Sequence, residues 1–272
     1  MKTKLRTKIA LGLFMWLVLL VIYLPIFLLI VFSFSTTETI NLNNFNFGMG
    51  VWMDLFANER LMTALLNTVI IATVASFVSV LIATMACVGI MKMRRRPKGV
   101  IMTVNQAPII NADIVTSFSL VILFSTLGFA NIGMFRLILA HILICLPFSV
   151  LVILPRLRSL DQNLYEAAQD LGATPGHALF SVIIPQLLPA MIGAFLLGFT
   201  LSLDDFIITQ FNRGDVETIS VFVYNATKVG PPAELRALSA LLFGTVLLIL
   251  LFVNFYVLRK WRKKKLKMNH DE

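Results

Sequence analysis

Residues Asp161 to Pro189 read DQNLYEAAQDLGATPGHALFSVIIPQLLP, a polar, charge-bearing interruption in a chain otherwise made of apolar runs. Asp161 is placed to N-cap a short helix, because its carboxylate can accept orphan backbone N–H groups, and Gly172 can end that helix by taking φ > 0. Thr174 followed by Pro175 then restarts a helix: Thr is a good N-cap, and Pro at the first helical position gives up an N–H that had no partner. The stretch therefore predicts a helix, a tight glycine turn and a second helix, exposed for docking.

The surroundings explain why such a stretch stands out. Of 272 residues, 58% are hydrophobic and 14% charged, against about half and about a quarter in soluble domains. This composition places the chain in lipid. The net charge of +9 comes from short basic clusters flanking long apolar runs, a pattern that suits a membrane surface and not a nucleic acid. Cys87 and Cys145 lie inside apolar runs without metal-ligand spacing and read as buried free thiols. No Gly-rich phosphate loop and no Ser/His/Asp or Cys/His arrangement occurs, so neither catalysis, metal nor cofactor is expected of this chain.

Six apolar runs predict an all-α polytopic membrane protein with six transmembrane helices. The first, Ile9 to Phe34, is too long for a signal-peptide core, lacks a small-residue cleavage site and should remain as an anchor kinked at Pro25. A polar external loop, Ser35 to Arg60, follows. The second run, Leu61 to Met91, carries Ala72, Ser76, Ser79, Ala83 and Ala86 on one helical face, which predicts close helix packing. The third, about Val100 to Gly128, is polar in its first half, and the fourth, about Leu137 to Leu154, has His141 near its outer end as a satisfied interfacial histidine. The fifth should start near Pro185 or Gln186 and end around Ile208. An external loop, Thr209 to Arg236, then leads to the sixth, Ala237 to Leu258. The expected division is 1–60 as the first helix and external loop, 61–258 as a five-helix core with the docking segment at 161–185, and 259–272 as a basic tail.

Charge sets the orientation. Eighteen of the 23 Lys and Arg residues fall on one predicted side: Lys2 to Lys8, Lys92 to Lys98, Arg156 with Arg158, and Arg259 to Lys267. Arg60, Arg136, Arg213, Lys228 and Arg236 fall on the other. The positive-inside rule then puts both termini and the Asp161–Pro189 stretch in the cytoplasm.

With that placement, Glu166-Ala167-Ala168, three residues, Gly172, nine residues, then Val182, Ile184 and Pro185 resemble the EAA signature of ABC importer permeases. Every spacing is kept, while Val182 and Ile184 stand where the family has Ile and Leu. The resemblance extends over most of the chain from Asn67 onward and is closest to permeases of the spermidine/putrescine type. It implies a type I ABC importer permease fold in the inner membrane and a second permease subunit. It also implies two cytoplasmic ATPase subunits and an extracytoplasmic polyamine-binding protein. Glu166, Ala167, Ala168, Gly172 and Pro185 would then couple to the ATPase, and Asp113, Asp204 and Asp205 would mark the substrate pathway. Sister importers for ferric iron, thiamine or opines share the signature, so the motif alone gives mechanism and not cargo.

Physics gives the carboxylates a reason of their own. A central intramembrane Asp costs about 2.5 to 3.5 kcal/mol on insertion scales. As part of a continuous third helix, Asp113 would lie near mid-depth, with Asp204 and Asp205 toward the outer end of the fifth. A flexible polyammonium chain crossing low dielectric favours successive carboxylates that replace its water without holding it tightly. Neighbours on a helix point about 100° apart, so Asp204 and Asp205 should not share a task. An ion-coupled secondary transporter would also use such carboxylates, but it often shows inverted repeats that are not evident here.

Overall fold

The computed structural model describes residues 2–36, 46–129, 133–161, 163–230, 232–248, 251 and 255. These form α1 (Lys2–Phe32), α2 (Gly50–Ala57), α3 (Glu59–Lys92), α4 (Arg95–Ile110), α5 (Asp113–Thr126), α6 (Gly133–Arg158), α7 (Asn163–Asp170), α8 (Pro175–Ala178), α9 (Ile184–Asp204), α10 (Ile207–Asn212) and α11 (Ile219–Val229). A twelfth helix, α12, covers 234–248. Among the described residues, pairing of the β type is confined to one isolated bridge, Ser35 with Phe47.

Four of these segments are long and apolar enough to cross a membrane: Ala10–Phe32, Glu59–Lys92, Gly133–Arg158 and Pro175–Asp204. A fifth crossing requires α4 and α5 together, and these meet at a 109° bend. The sixth expected run is helical through 248, and the rest of it, like the tail 259–272, lies largely or wholly outside the described residues.

Two compact units make up the chain, 63–225 and the pair 1–62 with 226–272. In the second of these, the apolar side chains of α1 from Leu11 to Leu24 remain exposed. After α1, the Phe34 ring lies 5.9 Å from Phe47 and 5.7 Å from Trp52 between centroids. The unit 63–225 holds the Asp161–Pro189 stretch and Asp113, Asp204 and Asp205. Its core is built where α3, α6 and α9 meet, with Ala83, Cys87, Val150, Ile153, Leu157 and Leu187 among the buried side chains.

The small-residue face of α3 makes that meeting possible. Ala72, Ser76, Ser79 and Ala83 are fully buried, whereas Ala86 is half-buried. In lipid, where water drives nothing together, such faces let backbones approach and serine hydroxyls satisfy themselves. Ser76 Oγ donates to the Ala72 carbonyl at 2.5 Å, and Ser79 Oγ lies 3.3 Å from Ser149 Oγ on α6. Gly198 of α9 completes the contact, because a Cβ there would sit 3.4 Å from Ser76 Oγ and 3.5 Å from the Cys145 Cβ. Gly198→Leu should therefore wedge the three helices apart and lower stability by about 1–3 kcal/mol, as overpacked cores do. A thermal-unfolding series in detergent in which Gly198→Leu melts with the parent would contradict this packing.

Three expectations about the spans are corrected. The third run is not one helix: α4 ends at Ile110 with Asn111 extended (ψ 148°), and α5 restarts at Asp113. Pro108, lacking an N–H, weakens the last turn of α4, and Asn111 turns its side-chain amide to Thr116 Oγ1 at 3.3 Å on the next helix. The fifth helical rod starts at Pro175, ten residues earlier than expected, and ends at Asp204 rather than Ile208. It passes Pro185 by way of a π-helical turn, Leu179–Ile183, in which the Ile184 N–H reaches back to the Leu179 carbonyl. Finally, Thr209 to Arg236 is not a loop, since it contributes most of α10, the whole of α11 and the start of α12.

Candidate functional site

The stretch from Asp161 to Pro185 has the form its residues dictate. Asp161 Oδ1 accepts from the Asn163 N–H at 3.0 Å and starts α7. At the other end Gly172 adopts φ +90°. Its N–H donates to the Gln169 carbonyl at 2.8 Å, and the Ala173 N–H donates to the Ala168 carbonyl at 3.1 Å. These two bonds are those of a Schellman motif, with glycine at the position that needs a left-handed backbone. The spacing between Ala168 and Gly172 is thus that between the carbonyl that closes the motif and its left-handed residue. Thr174 Oγ1 accepts from the His177 N–H at 3.3 Å, and Pro175 opens the next helix.

What α7 presents is a surface with few contacts of its own. None of its residues is buried: Glu166, Ala167 and Gly172 are exposed, Ala168 is half-buried, and Leu171 is 90% exposed. Tyr165 straps the segment from behind, with the Lys92 ammonium 5.5 Å from its ring centre and its hydroxyl bonded by Gln169 Nε2 at 3.3 Å. Between α7 and the ends of α3 and α6 lies a cavity of about 450 Å³, walled by residues such as Met91, Leu157, Tyr165 and Leu179. Pro185 is exposed in the first turn of α9, just past the π turn.

The carboxylates sit at helix breaks, which is where sequence reasoning did not put Asp113. Asp113 is exposed in the first turn of α5, so it is the charged end of a half-helix and not a mid-helix intrusion. A helix N-terminus favours a negative charge by about 0.3–1 kcal/mol, which offsets part of the cost of an acid in this segment. Asp204 is the last residue of α9, and its side chain is exposed. Asp205, next to it, is extended (φ −66°, ψ 123°) and turns inward. Its carboxylate accepts from the Thr209 N–H at 2.8 Å and from Thr209 Oγ1 at 3.0 Å, and lies 3.8 Å from His141 Nε2. The two aspartates do have separate environments, one open and one committed to capping α10.

Short α10 ties the two breaks together. Ser117, one turn after Asp113 on the same face of α5, donates to the Ile207 carbonyl at 3.4 Å and accepts from Asn212 Nδ2 at 3.2 Å. Phe118 and Phe211 add a ring contact at 4.6 Å. Arg136, counted on the external side, is buried and donates Nε–H to the Asn212 carbonyl at 2.8 Å. His141 is satisfied, as expected, and buried within the protein: it is 2% exposed, with Ser202 Oγ 2.7 Å from Nδ1 and Thr209 Oγ1 3.1 Å from Nε2. No role was expected of Ser117, Ser202, Thr209 or Asn212: the two serines are polar residues inside apolar runs, whereas Thr209 and Asn212 fall in what was expected to be an external loop.

A chain of several apolar helices with one bent pair has known relatives. The family described as binding-protein-dependent transport system inner membrane component matches residues 75–268. This chain belongs to that family. It is a multi-pass inner-membrane transport permease component. Among curated relatives it is 33% identical over 221 residues to the putrescine transport system permease protein PotI of Escherichia coli K12, covering 79% of this chain and 78% of that one. It is 32% identical over 189 residues to the spermidine/putrescine transport system permease protein PotC of Haemophilus influenzae, covering 69% and 73%. Among solved structures, a bacterial ABC transporter involved in the import of the acidic polysaccharide alginate superimposes with TM-score 0.68 at 17% identity, covering 92% of this chain and 93% of that one. A second structure, the alginate transporter in complex with a pentasaccharide-bound periplasmic protein, gives TM-score 0.65 at 20% identity, covering 92% of each chain. The fold is that of a type I ABC importer permease.

Proposed function

We propose that this chain is a permease subunit of an ATP-driven importer that carries polyamines, putrescine or spermidine, into the cell. It works with a second permease subunit, two cytoplasmic ATPase subunits and an extracytoplasmic polyamine-binding protein, and its two termini face the cytoplasm. ATP is hydrolysed by the ATPase partners and not by this chain. The observation that carries the reading is one continuous helical rod. It begins at the Thr174 cap beside the α7 surface and ends at Asp204. At 1.5 Å per residue its 30 residues span about 45 Å, more than the hydrocarbon thickness.

In this mechanism Glu166, Ala167, Ala168 and Gly172 meet the ATPase, small alanines allowing close approach and Glu166 supplying a charged contact. Closure of the ATPase pair displaces α7, and Pro185 with its π turn passes that displacement to α9. Asp204 and Asp113 serve as stations for ammonium groups, each at a helix break where a carboxylate is accessible without a full helix around it. Discontinuous helices are where transporters gather their charged sites.

The test is vanadate-sensitive, ATP-dependent uptake of labelled putrescine and spermidine into vesicles holding the complete transporter, together with copurification of the ATPase. Uptake that survives ATP depletion would point to an ion-coupled carrier. Uptake of another solute with no competition by polyamines would reassign the cargo.

A further inference from the structure

We propose that His141 is a positioning residue for Asp204, acting through a buried chain that clamps the break between α9 and α10; this rests on the reading of Asp204 as a pathway carboxylate. The clamp follows from counting protons. His141 Nδ1 is 2.7 Å from Ser202 Oγ, two residues before Asp204, and Nε2 is 3.1 Å from Thr209 Oγ1, five residues after it. Thr209 Oγ1 is in turn 3.0 Å from the Asp205 carboxylate. One arrangement uses every group once: Ser202 donates to Nδ1, Nε2–H donates to Thr209, and Thr209 donates to Asp205. The imidazole is then neutral, and a single side chain of α6 holds both lips of the break.

The rest of the geometry points the same way. Asp205 caps α10 through the Thr209 N–H at 2.8 Å, and its backbone carbonyl accepts from Ser220 Oγ at 2.8 Å, so the residue after Asp204 is fixed on both its faces. One turn along α6 from His141, Cys145 Sγ lies 3.4 Å from the Gly198 carbonyl, aligning α9 below the break. With its neighbours held, Asp204 is left exposed at a defined place and direction. Leucine at this position would keep the core apolar and filled, but Ser202 and Thr209 would each lose a buried partner, a destabilising change. What leucine cannot supply is the link between Ser202 and Thr209.

The experiment uses the complete transporter in proteoliposomes, with the putrescine moved and the ATP hydrolysed both measured. Asp204→Asn, His141→Leu, His141→Gln and the double variant Asp204→Asn with His141→Leu are compared. His141→Leu should lower putrescine moved per ATP by about fivefold, the scale of one lost hydrogen-bonded placement, at unchanged assembly. Gln, which can accept from Ser202 and donate to Thr209, should restore most of it. The double variant should be no worse than Asp204→Asn alone. Normal transport by Asp204→Asn would overturn the pathway reading itself. A defective Asp204→Asn beside a normal His141→Leu would overturn only the positioning role, as would losses that multiply in the double variant. If His141→Leu does not assemble, Ser202→Ala, which removes one link of the same chain, takes its place in the comparison with Asp204→Asn, and multiplied losses there again overturn the proposal.

Discussion

Replacing Gly172 with valine is expected to cut ATP-driven uptake by about tenfold or more while the chain stays in the membrane at its normal level. The reason lies in the backbone. A Cβ at this position would meet nothing within 4 Å, so a side chain has room, but φ is +90°. That conformation costs an ordinary residue about 1–2 kcal/mol and a β-branched one more. Valine would relieve the strain by abandoning the turn, and with it the bond from the Ala173 N–H to the Ala168 carbonyl. The α7 surface would then be presented at a different angle to whatever docks on it. A graded series separates turn geometry from bulk: Gly172→Asn, whose side chain tolerates the left-handed region, should be mildest, Gly172→Ala intermediate and Gly172→Val most severe. Copurification of the ATPase and vesicle uptake read the series. Full uptake by the valine variant would remove the coupling role from this segment.

Asp204→Asn should reduce polyamine uptake by about tenfold with no change in assembly, whereas Asp205→Ala should destabilise the subunit. Asparagine keeps the shape of Asp204 and removes its charge. An ammonium group leaving water loses a charge-assisted contact of about 1.5 kcal/mol or more, close to a factor of ten. Because Asp204 is exposed and holds no helix end, folding should not notice. Asp205 is the reverse case, since it caps α10, and losing such a cap costs about 1 kcal/mol. Uptake and thermal stability measured on both variants decide the matter. A stable, transport-dead Asp205→Ala beside a fully active Asp204→Asn would exchange their roles.

Local chemistry was the part of this protein open to reading in advance. Gly172, Thr174 and Pro175 act on their immediate neighbours, so their turn and cap could be stated from spacing alone. The small-residue face of α3 was equally plain, because a helical period suffices to define it. The break before Asp113 was harder. Pro108 and Asn111 were visible, but membrane helices tolerate such residues, and the apolar run continues past them. Whether the chain bends there depends on partners such as Ile207 and Asn212, about 90 residues away in sequence. The inward turn of His141 had the same cause, its partners being 61 and 68 residues distant. The helices of 209–236 were missed because their polar residues suggested a loop, although Ile219, Val221 and Phe222 of α11 are buried.

The π-helical turn at Leu179–Ile183 also sets a direction. A π turn closes its hydrogen bond over five residues, one more than an α-helical turn. Every residue ahead of it is offset by about 100° from where an unbroken helix would carry it. The direction in which Glu166 and Leu171 face is thus set by a single residue of length. Lineages that gained or lost that residue would meet differently oriented partners without altering either the docking motif or the acid-lined breaks.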